Sequence, residues 1–345
     1  MKAIRLYCPH DLRVEEIPDP GHPGRGWVRL RIASVGICGS DLHYYREGDI
    51  GTAAVEEPLI LGHEFSAFIE ELGPGVEDFQ VGQLVAVEPG RACGKCETCR
   101  DGHPNLCPHI IFCGYPGVDG ALQKVLLYPV QFLHALPEGF SPADGAMLEP
   151  LGVGLHALRL GKLDPGETAA VLGAGPMGLT VIDLLRAFGA SEIYATEPLP
   201  HRRAAAKRYG ATAAFDPQAD DVVEAIMDST HGRGVDTVFE AAGAPDTPDQ
   251  AAAVVKPGGT VVIVGIPSKD ELKLQHSVAR RKGLTIKLSR RMKHTYPQAI
   301  AVVREGRVDV RSMVTHCFRL DEADKAFRLA DSYADNVLKT TIDVS

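Results

Sequence analysis

Four cysteines, Cys93, Cys96, Cys99 and Cys107, follow one another as C-x2-C-x2-C-x7-C in the stretch "CGKCETCRDGHPNLC". Thiolates at such short spacings can close a tetrahedral shell around zinc, which leaves no coordination position for water or substrate. The cluster is therefore expected to be a structural clip, and metal chemistry has to be sought elsewhere. A catalytic zinc needs about three protein ligands and one open position. The candidates outside the cluster are Cys38 in "GICGSDLHYY", His63 and Glu64 in "LILGHEFSAF", and Glu149 in "AMLEPLGVGLHAL". A single Cys or His is usually structural, and spacing alone does not join these four.

A second kind of chemistry is written in Gly173-Ala174-Gly175-Pro176-Met177-Gly178, a G-x-G-x-x-G that follows an apolar strand and opens a helix. Gly173 allows the tight turn, Gly175 lets a pyrophosphate approach the backbone, and Gly178 lets helix and strand pack closely. The helix N-terminus, with Pro176 and Met177 in its first turn, then offers free N–H groups and a positive dipole end. Glu197 ends the next strand, 19 residues after Gly178. A carboxylate there accepts hydrogen bonds from an adenosine ribose and repels a 2′-phosphate, which favours NAD over NADP. The plainer reading of Glu197 is a solvated loop carboxylate. Arg202 and Arg203 follow closely; Arg202 is a further cofactor candidate, and the pair leaves NADP as the alternative. Val264 and Ile266, in "GGTVVIVGI", complete the cofactor candidates.

These groups must be positioned by two kinds of scaffold. Residues 1–150 read as β-rich and loop-rich, with short apolar runs such as "WVRLRIASVGI" and "QLVAVEPG" between Gly/Pro punctuation. From about residue 165 strands and helices alternate: "ETAAVLGAG", "PMGLTVIDLLRAFG", "SEIYATE", "HRRAAAKRYG", "DVVEAIMDST", "GVDTVFEAAG", "TPDQAAAVVK", "GGTVVIVGI". That order implies right-handed crossovers and a parallel sheet with helices on both faces. "GLTIKLS" reads as a last strand. The tail, with a helix-like "LDEADKAFRLADSY" and a strand-like "KTTIDV", is expected to rejoin the first domain. The expected domains are 1–150 with 290–345, and 151–289.

Bulk properties exclude several classes. A chain of 345 residues exceeds one ordinary core. Apolar content is 45% and formal net charge −9, without a Lys/Arg-rich run that would suggest nucleic acid. No apolar run approaches the roughly 20 residues that span a bilayer, and "MKAIRLYCPHDLRVEEI" lacks a signal-peptide core. A cytoplasmic location is expected, where the eight cysteines serve as ligands or buried apolar residues rather than disulfides.

Taken in order, "GHE" followed by "GPGVEDFQVGQLV", the four-cysteine lobe and "GAGPMG" resemble the zinc-dependent medium-chain alcohol dehydrogenases over nearly the whole chain. "CGSDLHYYREGDIG", "VEPG", "LEPL" and "VTHCFRLDEADKAF" look like the sorbitol (polyol) dehydrogenase branch. The resemblance implies a doubly wound Rossmann cofactor domain and a β-rich GroES-like catalytic domain. It implies two zinc ions per chain, one catalytic and one structural, and a homotetramer. Cys38 and His63 look like catalytic-zinc ligands, and Glu64 like a ligand or a carboxylate just behind them. Glu149 falls where many alcohol dehydrogenases of the family carry a cysteine, and in the polyol branch it meets the metal directly or through water. Asp41 looks like the residue that orients His63. Ser40 and His43 match the proton relay, and Tyr44, Phe112 and Arg291 match substrate contacts, Arg291 through "RRMKHTYP".

The chain departs from the family pattern at Ala67, Gln83 and Met292, where a glycine, an acid, and an aromatic or polar group are usual. It keeps the cysteine lobe that some polyol dehydrogenases lack. The implied reaction is hydride transfer from a secondary alcohol of a sorbitol- or xylitol-like polyol to NAD, giving a ketose. Alternatives are a cyclic polyol or aminocyclitol, threonine or an aldose as substrate, and more remotely a regulator that binds nucleotide without turnover.

Overall fold

The computed structural model describes residues 1–269 and 271–344. Contacts divide the chain into two compact units. The first holds Met1–Pro150, Tyr296–Arg304 and residues 310–344; the second holds Leu151–Thr295 and Glu305–Asp309. Residues 290–295 and 305–309 thus group with the second unit, where the sequence pattern closes that domain at 289.

The first unit is built on a seven-stranded sheet. Its strands run in the order Leu133–Ala135, Leu84–Val87, Glu64–Leu72, Trp27–Gly36, Lys339–Asp343 and Val314–Arg319, with Val125–Pro129 also paired to Trp27–Gly36. "WVRLRIASVG" makes the central strand because its first half alternates. Val28, Leu30 and Ile32 are buried, while Trp27, Arg29 and Arg31 are more open. From Ile32 to Gly36 every residue is buried, so this end of the strand is covered on both faces. Leu30, Ile32, Phe65, Ile69, Tyr128 and Phe327 belong to one core cluster, each aromatic or aliphatic side chain contributing about 1.5–3 kcal/mol on burial. The tail does rejoin this sheet: Thr341 lies opposite Gly36, and the strand also runs parallel to Val314–Arg319.

The second unit holds six parallel strands in the order Ala213–Phe215, Glu192–Thr196, Thr168–Leu172, Val235–Glu240, Val255–Ile263 and Thr285–Leu288. Thr168–Leu172 is a continuous apolar run because a central parallel strand is covered on both faces. Helices Pro176–Ala187, Pro200–Tyr209, Val222–Ser229, Thr247–Val254 and His276–Lys282 supply the crossovers.

Several helices lie where the sequence pattern shows none, and two of them carry site residues. One, Gly39–Glu47, begins directly after Cys38 and ends at Gly48, whose φ of 82° is the left-handed cap that glycine tolerates. The other, Pro142–Gly161, carries Glu149 and Pro150 in its interior. Strand Ala213–Phe215 is also absent from the sequence reading. Among the described residues, no helix is long and apolar enough to cross a membrane.

Candidate active site

Cys38 leaves the end of strand Trp27–Gly36, and His63 precedes strand Glu64–Leu72, which pairs with it. Their juxtaposition follows from register, since Gly36 lies opposite Glu64. One ligand atom each from Cys38, His63 and Glu64 comes within 4.8 Å of the others, with His63 and Glu64 buried. Asp41 fixes this corner. Its carboxylate, 1% exposed, accepts the Cys38 N–H at 2.9 Å and the Gly62 N–H at 3.3 Å, and lies 3.4 Å from His63 Nδ1. Burial works against its charge, but His63 and these N–H groups outweigh it and hold the Asp41 pKa below the ordinary value. Conversely, burial opposes a charge on His63, while Asp41 and Cys38 raise its pKa well above normal. With Nδ1 turned to Asp41, Nε2 faces the other way and lies 3.4 Å from Ser40 Oγ.

Glu149 sits outside the tight trio. It is 5% exposed and, among the described residues, makes no hydrogen bond or ion pair. Burial raises its pKa to about 7, His63 opposing the rise and Glu64 adding to it. Glu149 lies well inside helix Pro142–Gly161 and therefore caps no helix end. A buried carboxylate without a partner is costly unless a cation stands by. A thiol, an imidazole and two carboxylates form a donor set suited to zinc, so these residues fit that metal.

The most consequential residue that the sequence reading missed is Lys339. Its ammonium is buried, with the side chain 3% exposed, and stands 2.5 Å from Glu64 Oε2. The contact is an ion pair by distance, without the alignment of a hydrogen bond. Burial works against the Lys339 charge, but Glu64 and Cys38 outweigh it and raise its pKa. The only signal in the sequence was a lysine opening "KTTIDV", a strand otherwise buried almost to its end.

Other candidates divide. The Phe112 ring lies 5.2 Å from the His63 ring. Tyr44 is buried and packs in the core cluster. His43 bonds Glu47 at 3.1 Å along its own helix, and no hydrogen bond joins it to Ser40 among the described residues. Arg291 belongs to the second unit. Its φ of 54° is a left-handed conformation that non-glycine residues hold only where their surroundings impose it.

The four-cysteine lobe forms a separate cluster, with its four sulfur atoms within 4.8 Å of one another. Cys96 and Cys107 sulfurs are 3.8 Å apart. The N–H groups of Lys95 and Cys96 pull the Cys93 thiol down to about 6, whereas burial and Cys96 push Cys99 up to about 12. Four thiols so crowded cannot all ionise without a cation, and the set fits a closed zinc shell.

In the second unit Gly173, Glu197, Val264 and Ile266 all follow C-terminal ends of parallel strands, the edge where such sheets bind ligands. Gly173 has φ 94°. A side chain on Gly178 would collide with Gly173 O at 1.9 Å, so glycine is required for the helix to approach the strand. A side chain on Gly175 would meet only Arg202 Nη1 at 3.6 Å, which leaves the N-terminus of helix Pro176–Ala187 open. This cradle fits a dinucleotide pyrophosphate. Glu197 is not a solvated carboxylate: it is 4% exposed and accepts the N–H groups of Ala174 at 3.0 Å and Leu199 at 3.1 Å. It ties the glycine loop to the next strand end. Arg203 donates to the Glu197 carbonyl at 2.8 Å and pairs with Asp216 at 3.0 Å.

Comparison with known proteins agrees with this division of labour. Residues 24–138 match the family model described as an alcohol dehydrogenase GroES-like domain, and residues 176–305 match the one described as a zinc-binding dehydrogenase. The chain is 39% identical over 342 residues to a sorbitol dehydrogenase of Bacillus subtilis, covering 99% of this chain and 97% of that one. It is 36% identical over 349 residues to sorbitol dehydrogenase 1 of Saccharomyces cerevisiae, again covering 99% and 97%. Its fold matches the crystal structure of 2R,3R-butanediol dehydrogenase from Bacillus subtilis with a TM-score of 0.90, 34% identity, and coverage of 100% and 99%. Likeness of that degree over almost every residue places the chain among the zinc-dependent medium-chain alcohol dehydrogenases, in their sorbitol dehydrogenase branch.

Proposed function

We propose that the protein oxidises a secondary alcohol of an acyclic polyol, sorbitol- or xylitol-like, to the ketose with NAD. The observation that carries this reading is Glu149, a buried carboxylate without a partner beside the Cys38–His63–Glu64 trio. A carboxylate in place of a second thiolate makes the donor set harder, which suits a pair of polyol oxygens. In this reading Cys38, His63 and Glu149 hold one zinc, with Glu64 as a ligand or directly behind it. Cys93, Cys96, Cys99 and Cys107 hold the other. When bound, the first zinc supplies a Lewis acid for the alcohol oxygen, and the nicotinamide supplies a hydride acceptor for its carbon.

The chain's own residues do the rest. Asp41 keeps Nδ1 of His63 occupied, so that Nε2 is the nitrogen offered as a ligand. Ser40 takes the proton that leaves the alcohol. His43 passes it outward, with a water or a substrate hydroxyl between the two side chains. Phe112, beside His63, and Tyr44 shape the substrate side, and Arg291 hydrogen-bonds a polyol hydroxyl. The cytoplasm and a homotetramer are parts of the same reading.

Initial rates over a panel of sorbitol, xylitol, butane-2,3-diol, L-threonine, inositol and aldoses test it. Sorbitol or xylitol with NAD should give the highest kcat/KM, and a chelator should remove it. A preference for threonine or an aldose by about tenfold, a difference of 1.4 kcal/mol in transition-state binding, overturns the substrate assignment. Butane-2,3-diol is on the panel because a butanediol dehydrogenase shares the fold at 34% identity.

The NAD preference rests on Glu197, with Gly173, Gly175, Pro176, Met177, Gly178, Arg202, Val264 and Ile266 completing the cofactor set. Glu197→Ala should lower the ratio of kcat/KM for NAD over NADP by about tenfold or more, as the charge facing a 2′-phosphate is lost. An unchanged ratio leaves Glu197 only its hydrogen bonds to Ala174 and Leu199.

A further inference from the structure

We infer that Gly36 is a positioning residue: its missing side chain is the window through which Lys339 holds the Glu64 carboxylate away from the open metal position. The inference rests on the zinc site proposed above. Strand Trp27–Gly36 runs between strands Glu64–Leu72 and Lys339–Asp343. Gly36 is opposite Glu64 on one side and Thr341 on the other. Cross-strand partners share a face, as do residues two apart along a strand, so Glu64, Gly36, Thr341 and Lys339 share one. To reach Lys339, Glu64 has to cross the intervening strand, and it crosses at Gly36. A Cβ there would stand 2.3 Å from Glu64 Oε2 and 3.2 Å from Lys339 Cε. No left-handed φ is recorded for Gly36, so the backbone itself would accept another residue. What excludes a side chain is the carboxylate–ammonium pair.

Both ends of that pair are buried, at 3% and 2% side-chain exposure. A Glu64 carboxylate expelled from Lys339 has no solvent to move into. One of its oxygens already lies within 4.8 Å of the ligand atoms of Cys38 and His63. Forced off the lysine, it therefore turns toward the metal and takes the position that the substrate oxygen needs. Lys339 and Gly36 act through Glu64 and not on the substrate.

The test compares Gly36→Ala, Glu64→Ala and Gly36→Ala/Glu64→Ala in the zinc-loaded protein. It reads zinc content, thermal midpoint and kcat/KM. Gly36→Ala should lower kcat/KM about tenfold or more, chiefly through KM, while zinc content stays at the wild-type value. Its thermal midpoint should fall by roughly 3 °C or more, as overpacking requires. In the Glu64→Ala background the same alanine should change the midpoint and kcat/KM much less, because the 2.3 Å collision with Oε2 is gone and only the contacts with Lys339 Cε at 3.2 Å and the Cβ of residue 64 at 3.3 Å remain. If Gly36→Ala does not fold, the double variant should still fold. Full additivity of the two substitutions in the midpoint, or a Gly36→Ala protein indistinguishable from wild type, overturns the inference. The coupling in the midpoint is read without any substrate, so it stands or falls separately from the polyol assignment.

Discussion

Cys38→Ser is expected to lower kcat/KM for the best polyol by about 10³-fold or more while leaving the fold in place, and Cys99→Ser to act chiefly on stability. The asymmetry comes from where each sulfur sits. Cys38 stands in the link between strand Trp27–Gly36 and helix Gly39–Glu47, at the N-cap of that helix. Serine is among the preferred residues at such a position, and its N–H still reaches Asp41. What serine removes is a thiolate from the Cys38–His63–Glu64 trio. Loss of the Lewis acid forfeits several kcal/mol of charge stabilisation in the transition state, at about 1.4 kcal/mol per factor of ten.

Cys99 stands in a segment with almost no core of its own. Its helix Glu97–Arg100 has four residues and buries none of them. A segment so poor in apolar burial is held by its metal, and three thiolates close the shell less well than four. Cys99→Ser should therefore lower the thermal midpoint and the zinc content by one ion per chain, with kcat of the surviving folded fraction changed by less than about threefold. The measurements are zinc stoichiometry, thermal unfolding and turnover of both variants. A folded Cys38→Ser protein with near-normal turnover would falsify the catalytic assignment.

How far such residues could be found in the sequence depended on the range of the interaction that defines them. The glycine loop was legible because its constraints are local. Gly173 and Gly178 lie within six residues and answer to one turn. The cysteine lobe was legible for the same reason. Strands such as Thr168–Leu172 were legible because burial on both faces writes itself as an unbroken apolar run. Helix Gly39–Glu47 was not. Its periodicity is weak, since it buries Asp41 along with Leu42, Tyr44 and Tyr45, and its start is set by a reciprocal contact between Cys38 and Asp41, in which the Asp41 carboxylate accepts the Cys38 N–H. Helix Pro142–Gly161 was hidden by Pro150, which reads as a stop because it lacks the N–H for the preceding turn. Strand Ala213–Phe215 is three residues long and only partly buried. Lys339 was beyond local reading altogether. A lysine opening a C-terminal strand reads as solvated, and only the sheet order brings Glu64 within 2.5 Å of it.

Glu149→Gln is expected to lower kcat by about 10-fold or more and to weaken zinc retention within the 10- to 100-fold range found for groups supporting a metal shell. The substitution keeps the shape of the side chain and removes its charge. Were Glu149 only a helix residue, glutamine would serve as well, for the two have similar helix propensity. In this site the charge matters. Glu149 is 5% exposed and has no hydrogen-bond or ion-pair partner among the described residues, and the charges of His63 and Lys339 only partly offset its burial. Burial accordingly raises its pKa to about 7, and glutamine in the same place relieves that cost. Thermal stability of the metal-free Glu149→Gln protein should therefore hold or rise slightly, while turnover of the zinc-loaded protein falls. That opposition separates a metal-site carboxylate from a packing residue, whose loss lowers both together. Glu149→Cys carries the argument one step further. A second thiolate beside Cys38 and His63 keeps a zinc-binding donor set, so zinc content should stay near wild type. The softer set lacks the carboxylate acceptor and disfavours a second hydroxyl at the metal. Polyol turnover should fall by about 10-fold or more, and simple secondary alcohols such as propan-2-ol should lose less than sorbitol or xylitol. Zinc content and kcat for both variants, measured on a polyol and on propan-2-ol, decide the matter. Full turnover and full zinc occupancy in Glu149→Gln would reduce Glu149 to a helix residue and remove the ground for preferring polyols.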